Sequence, residues 1–393
     1  MSEYQYVGFR AIDAPVSDQN LEYMERQSSR AKITKWSFDN EYHYGDFGGD
    51  AEEMLRRGYD IHLCYANYGV RRLMIRLPNG FPDSAAVQPY LVPDRLVYQK
   101  DPQGPGGILC ITPWYEGGTL DDLWDLDSLL DELVGLRAEI LGGDLRPLYL
   151  AHLAVMCDSE GGYGLDDEEE EDEYLGGYEG PVPAGLAAPT EAQQSLMDLF
   201  ELSTELVEVA AQGAPSLPDA IDPAEQYAAW VKKQPAARRN AWLTELMADP
   251  HATVRATMLA EFHNSGARSA WPVALLKRRI GQLEEKAADL TRELEQKAAA
   301  VKAAKAARDR AKKLKAMAAS PEKTFRQAEQ LIDQRSSVSY NAAAELLASL
   351  REALAKTPQA GLAEQYALQL HQKHPTFRLL TAALRNQGLL PEQ

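Results

Sequence analysis

The chain has 393 residues, 45% hydrophobic and 25% charged, with a formal net charge of −18, the profile of a globular protein large enough for two or three domains. Its longest apolar stretch, around Leu148 to Cys157, already contains His152 and falls far short of the roughly 20 residues a membrane span needs, which excludes a transmembrane helix. The first twenty residues hold Glu3, Asp13 and Asp18 and no apolar core, so no secretory signal is expected and the chain is expected in the cytoplasm.

Glu3 to Ile12 is rich in strand formers and predicts a first strand. Ser17 is placed to cap a helix in which Leu21 and Met24 recur at helical spacing. Ile33 to Phe38 reads as a second strand, followed by a loop from Asn40 to Asp50. Asp50 and Glu53 have the spacing of a capping box and start a short helix through Arg57. Tyr59 to Tyr65 and Val70 to Leu77 read as strands joined by Ala66-Asn67-Tyr68-Gly69. A further pair, Tyr90 to Gln99 and Ile108 to Tyr115, flanks the turn-forming residues between them. This order predicts an α+β domain over 1–157 rather than a doubly wound sheet. Thr119 and Asp122 are expected to cap a helix with Leu123, Leu126, Leu129 and Leu133 on its apolar face, and Leu145 to Met156 to form a second helix.

Charge then divides the chain. Residues 1–200 hold 37 acidic and 14 basic side chains, net −23, whereas residues 201–393 hold 22 and 27, net +5. The acidic excess peaks at Asp166 to Glu173, an unbroken run of eight carboxylates. Such a run repels itself, so 158–189 is expected as a solvated linker or loop; a decoy for nucleic acid or a tether to a basic surface is the alternative.

The rest is expected to be all-helical. Thr190 with Gln193 opens a helix running to about Ala211, a proline-rich linker covers 214–223, and two short helices flank Asp249-Pro250, within a helical segment over 190–271. Over 272–319 good helix formers predict one long basic helix or coiled-coil arm, on the order of 70 Å. Its near-heptad seam runs Leu276, Ile280, Leu283, Ala287, Leu290 and Leu294. Ser320-Pro321 ends it, and Phe325 to Ile332, Tyr340 to Leu354, Leu362 to Leu370 and Phe377 to Gln387 predict a C-terminal helical bundle over 320–393.

Recognised catalytic motifs are absent: there is no GxxxxGK, no GxGxxG after a strand, no GxSxG and no HExxH. Cys64, Cys110 and Cys157 are too scattered for paired thiolates and read as reduced thiols, and among the histidines only two pairs stand out. His371 and His374 share a helical spacing, and His62 shares a strand face with Cys64. No metal and no cofactor is expected. Two places carry candidate chemistry. Glu41, His43 and Asp46 gather with three aromatics in the Asn40 to Phe47 loop, as a ligand or catalytic group would. Lys297, Lys302, Lys305, Arg308, Arg310, Lys312, Lys313 and Lys315 face only Asp309, a candidate contact for a phosphate backbone or an acidic partner. No aromatic lies among them, so base stacking is not supported. Arg71 and Arg72 are candidate anion contacts, but adjacent strand residues point to opposite faces, so at most one serves a given site.

The stretches Glu3 to Asp13 (EYQYVGFRAID), Tyr42 to Phe47 (YHYGDF), Ala66 to Pro78 (ANYGVRRLMIRLP) and Leu136 to Leu150 (LRAEILGGDLRPLYL) resemble a family of bacterial proteins without an assigned activity. That family's pattern opens with EYQYYEF and AIDRP and continues with YHWGDF and ANWGTRRLMLRLP. The C-terminal YNAAAELLASLREAL and HPTFRLLTAALRNQGL also look similar to it. This chain departs by carrying Tyr44 and Tyr68 where the pattern has Trp. The resemblance implies a bacterial cytoplasmic protein of one continuous architecture and names no reaction.

Three functions follow as expectations. The first is a non-enzymatic protein-interaction or scaffold component of a bacterial multi-protein system, with a protein partner and the long helix open to self-association. The second is a nucleic-acid-associated protein using Lys297–Lys315. The third is an enzyme built on Glu41, His43 and Asp46.

Overall fold

A computed structural model describes residues 3–115, 125–157, 177–217, 223–248 and 270–391, with single positions or pairs between 254 and 265. The described chain divides into two compact units, Met1–Thr291 and Arg292–Gln393. The first unit is α+β and the second all-helical.

The first unit is built on seven antiparallel strands: β1 Gln5–Arg10, β2 Lys32–Ile33, β3 Ser37–Tyr42, β4 Ile61–Ala66, β5 Val70–Leu77, β6 Leu96–Lys100 and β7 Gly107–Ile111, in the spatial order β2-β3-β1-β4-β5-β7-β6. Alternation assigns their side chains to two layers. Leu63, Tyr65, Leu73, Ile75 and Leu109 face helices α4 Leu126–Leu141 and α5 Arg146–Cys157. Gly8 lets β1 approach α4, because a Cβ there would come within 2.6 Å of Leu130 Cδ2. Val7, Phe9, Phe38 and Met74 look the other way, onto α1 Asp18–Glu25 and α2 Ala51–Arg56 through Met24, Met54 and Leu55. Between β5 and β6 lies a short helix, α3 Ser84–Val87, in the stretch before the strand expected from Tyr90.

The N-caps follow the local sequence. Ser17 Oγ accepts the Asn20 N–H, and Asp50 Oδ1 accepts the Glu53 N–H at 2.9 Å. Glu53 turns its own carboxylate to Arg57 instead of closing the box. The helix expected from Thr119 is described from Leu126, capped by Asp125, while Thr119, Asp122 and Leu123 lie outside the described residues. The acidic run Asp166 to Glu173 and the Asp249-Pro250 break also lie outside them.

The second short sheet corrects the sequence reading. Val182–Pro183 (β8) pairs with Val273–Ala274 (β9), so the long helix starts at Ile280, not at 272. The expected helix from Thr190 to Ala211 is two helices, α6 Glu191–Leu199 and α7 Thr204–Ala210. Between them Glu201 sits at φ 53°, a left-handed conformation that no helix interior accepts. Thr190 does complete a full capping box with Gln193. Next come α8 Pro223–Lys233 and α9 Ala236–Ala248, broken at Pro235. Helix α10 is Ile280–Ala319, and the unit boundary falls within it.

In the second unit the end of α10 joins α11 Pro321–Asp333, α12 Ser337–Leu354, α13 Leu362–Lys373 and α14 Arg378–Asn386 around a core of Ala343, Leu347, Leu350, Ala367 and Leu384. Leu347 is 0% exposed at its centre. Leu347→Ala removes buried methylenes and leaves a cavity, so it is expected to cost about 3 kcal/mol. The check is the midpoint of denaturation by far-UV circular dichroism; a loss under about 1 kcal/mol would mean that this core is not closed around Leu347.

Candidate functional site

The loop expected from Asn40 to Asp50 begins only at His43, and it does not gather Glu41, His43 and Asp46. Strand β3 runs on to Tyr42, pairing Tyr6 with Glu41 and Gln5 with Tyr42. Glu41 therefore lies on the α4 side of the sheet with Tyr6, whereas Gln5 and Tyr42 lie on the other. His43 packs at a tilt against Tyr4 with ring centroids 5.5 Å apart and meets Glu41 only at 3.8 Å, with the His43 and Glu41 side chains largely exposed. Asp46 turns away from both and accepts the Tyr68 hydroxyl at 2.5 Å. The three side chains share no site, which removes the geometric basis of the enzyme reading. Phe47 and Tyr42 anchor the segment; Tyr44, 84% exposed, anchors nothing.

What the segment does build is the wall of an open cleft, about 1100 Å³, on the sheet face opposite α4. Its floor is Cys64 on β4, Arg72 and Met74 on β5, and Cys110 on β7, side by side because Cys64 pairs with Arg72 and Met74 with Cys110. Buried Gln5 ties floor to wall: its carbonyl accepts the Phe47 N–H at 2.7 Å, and its amide donates to Tyr68 Oη at 3.2 Å and to Cys64 Sγ at 3.7 Å. Burial pushes the Cys64 thiol up to about 11 and the Cys110 thiol upward as well. At neutral pH both are thiols rather than nucleophilic thiolates. Strand β5 lies between them, which sets their backbones about 10 Å apart, too far for a disulfide.

His62, two residues from Cys64, also lines this cleft. Its Nδ1 is 3.0 Å from the Gly8 carbonyl oxygen and its ring stacks on Phe9 at 4.1 Å. Because burial penalises the imidazolium, its pKa is held down to about 3. Adjacent Arg71 and Arg72 part as strand geometry requires. Arg71 is buried against Tyr115, with its guanidinium 3.8 Å from the ring centroid and 3.0 Å from Glu201, while Arg72 opens into the cleft. Compared with known proteins, the chain matches no family model, no curated protein and no solved structure.

The second candidate, the basic helix, is placed differently from its seam. Ile280, Leu283 and Ala287 are buried in the core of the first unit, with Leu290 packed against it. These positions are spent within the chain and are not open to a partner helix, as the heptad seam had suggested. From Arg292 to Lys313 every residue of α10 is exposed. Within that stretch Lys297 pairs with Glu293 at 3.5 Å and Arg310 with Glu352 at 2.7 Å. Lys302, Lys305, Arg308, Lys312, Lys313 and Lys315 have no ion-pair partner among the described residues.

The other histidine pair does not converge either. His371 Nδ1 contacts Thr381 Oγ1 at 3.1 Å, and His374 stacks on Phe377. Among the described residues no group of three or more His, Cys, Asp or Glu side chains is placed to hold a metal ion, and no helix is long and apolar enough to cross a membrane. From sequence, His62 and Cys64 share a strand face and Arg72 stands apart as a candidate anion contact; the cleft, with Gln5 and Tyr68, is not legible there. The signal was the strand register: once β4 and β5 pair around Ala66-Asn67-Tyr68-Gly69, the alternation puts all three on one face.

Proposed function

We propose that the protein is a non-enzymatic interaction component of a multi-protein system, and that it meets an acidic protein partner through the basic stretch Lys297–Lys315. The observation that carries this reading is the exposure of α10 from Arg292 to Lys313 together with its unpaired cations. A helical stretch that buries no face gains nothing from tertiary packing. Its lysines and arginines are then free to contribute to association, where clustered charge speeds encounter and selects an oppositely charged surface.

The test compares the unaltered chain with a variant carrying Lys302→Glu, Lys305→Glu, Lys312→Glu and Lys313→Glu in pull-downs from the native host. All four side chains are exposed, so circular dichroism is expected to be unchanged. Partners captured at about 150 mM salt are expected to disappear with the variant, since exposed charge pairs act within a Debye length. Retention of the same partners would refute the reading.

The nucleic-acid reading uses the same side chains and predicts a different outcome: duplex DNA retained with an affinity that falls steeply as salt rises, and tighter binding once Asp166 to Glu173 is removed. The absence of aromatics between Lys297 and Lys315 favours a protein partner over single-stranded nucleic acid.

A further inference from the structure

The cleft on the β4-β5-β7 face holds polar groups that its own contacts leave unspent. Most of its acids are engaged: Asp46 accepts from Tyr68, Asp50 accepts the Glu53 N–H, and Glu52 takes the Arg56 guanidinium at 3.1 Å. Arg72, the cation of the lining, makes no hydrogen bond or ion pair among the described residues. Its charge is nevertheless felt at His62, Cys64 and Cys110, which surround it on the floor.

His62 supplies the second unspent group, and it is 2% exposed. A carbonyl oxygen only accepts, so the bond to Gly8 requires the proton on Nδ1 and leaves a lone pair on Nε2. Nε2 has no partner among the described residues, and the residue lines the cleft. Register places His62 and Arg72 diagonally across β4 and β5, since His62 pairs with Met74 and Cys64 with Arg72. Such diagonal neighbours lie about 7–8 Å apart, with their Cβ atoms somewhat closer, within reach of one small molecule.

We infer that this cleft binds a small zwitterion, an amino acid or a dipeptide, with its carboxylate on Arg72 and its ammonium donating to His62 Nε2. Charge balance selects this class. Asp46, Asp50, Glu52 and Asp94 line the cleft against the single Arg72, so a dianionic phosphate meets more repulsion than attraction. A ligand with only positive charge would leave the Arg72 guanidinium unsatisfied at the centre of the floor. A zwitterion meets both, and Met74, Val97 and Cys110 offer its apolar part a surface.

Isothermal titration calorimetry on the full chain tests this with two panels, the common L-amino acids and a set of dipeptides, each run beside its carboxamide and N-acetyl forms. Binding of at least one zwitterion with Kd below about 1 mM is expected, and the two panels distinguish free amino acid from peptide. Blocking either charged end, or making Arg72→Gln, is expected to weaken it about tenfold or more. Arg72 is exposed and unpaired, so the variant is expected to fold as the parent does. No binding in either panel, or binding indifferent to end-blocking and to Arg72→Gln, would overturn the assignment.

Discussion

Glu179→Ala is expected to cost the first unit about 3–5 kcal/mol, the range for removing one partner of a buried ion pair. The Glu179 side chain is 0% exposed and takes the Arg278 guanidinium at two points, 2.6 and 2.7 Å. It also accepts the Tyr149 hydroxyl at 2.6 Å and the Arg278 backbone N–H at 3.2 Å. Burial, and then the neighbouring carboxylate, push the Tyr149 hydroxyl well above its ordinary pKa, so it remains a donor. Arg278 in turn donates to the carbonyls of Val209, Ala210 and Gln212, closing the C-terminal end of α7. Without the carboxylate, a guanidinium and a hydroxyl are left without their acceptor in a site that excludes most water. Glu179→Gln keeps an acceptor of nearly the same shape and is expected to cost less than Glu179→Ala. Tyr149→Phe leaves the ion pair intact and is expected to cost about 1 kcal/mol. Denaturation followed by tryptophan fluorescence is the measurement, because Trp271 donates to the Ala184 carbonyl beside this network. A loss below about 1 kcal/mol for Glu179→Ala would show that the pair is solvated and not structural.

The same network explains where sequence and structure part. Residues 272–279 are mostly helix formers and read as the first turns of a long helix. Tertiary partners outcompete that local preference: Ala184 N–H bonds the Pro272 carbonyl, Glu179 N–H the Arg278 carbonyl, and Ile280 N–H the Gly177 carbonyl. Propensity differences of a few tenths of a kcal/mol per residue cannot resist several such bonds and a buried ion pair. Nothing local marks Glu179 as the partner of Arg278, ninety-nine positions away. By contrast, the caps at Ser17 and Thr190 and the strands at β4 and β5 were legible, because each depends on residues within four positions or on period-two alternation. The end of β3 was not. Asn40 and Glu41 look like loop residues, yet β1 supplies a partner for every position through Tyr42, and pairing overrides β propensity. That single extension separates Glu41 from Asp46 and dissolves the expected loop site.

His62 gives the second large effect, in the dependence of stability on pH. Unfolded, its imidazole titrates near 6.5, while in the fold burial holds it to about 3. Between those values the unfolded chain carries a proton that the folded chain refuses, so falling pH favours unfolding. The stabilisation is fully present above about pH 6.5 and drains as pH drops toward 3; from 6.5 to 4 the loss is about 3 kcal/mol, at 1.36 kcal/mol per unit. His152, with its pKa also lowered by burial, acts in the same direction. Asp39 and Asp60 act oppositely, because burial raises their pKa values and the fold then holds their protons more tightly than the unfolded chain does. The difference between the parent and His62→Gln isolates one residue from these others. Glutamine retains an N–H for the Gly8 carbonyl and does not titrate, so the parent is expected to lose about 3 kcal/mol more than the variant between pH 6.5 and 4. Parallel curves in urea denaturation would mean that His62 takes up its proton within the fold. The Nε2 lone pair facing the cleft would then be gone below that pH, and an ammonium ligand would have to be held by the surrounding carboxylates alone.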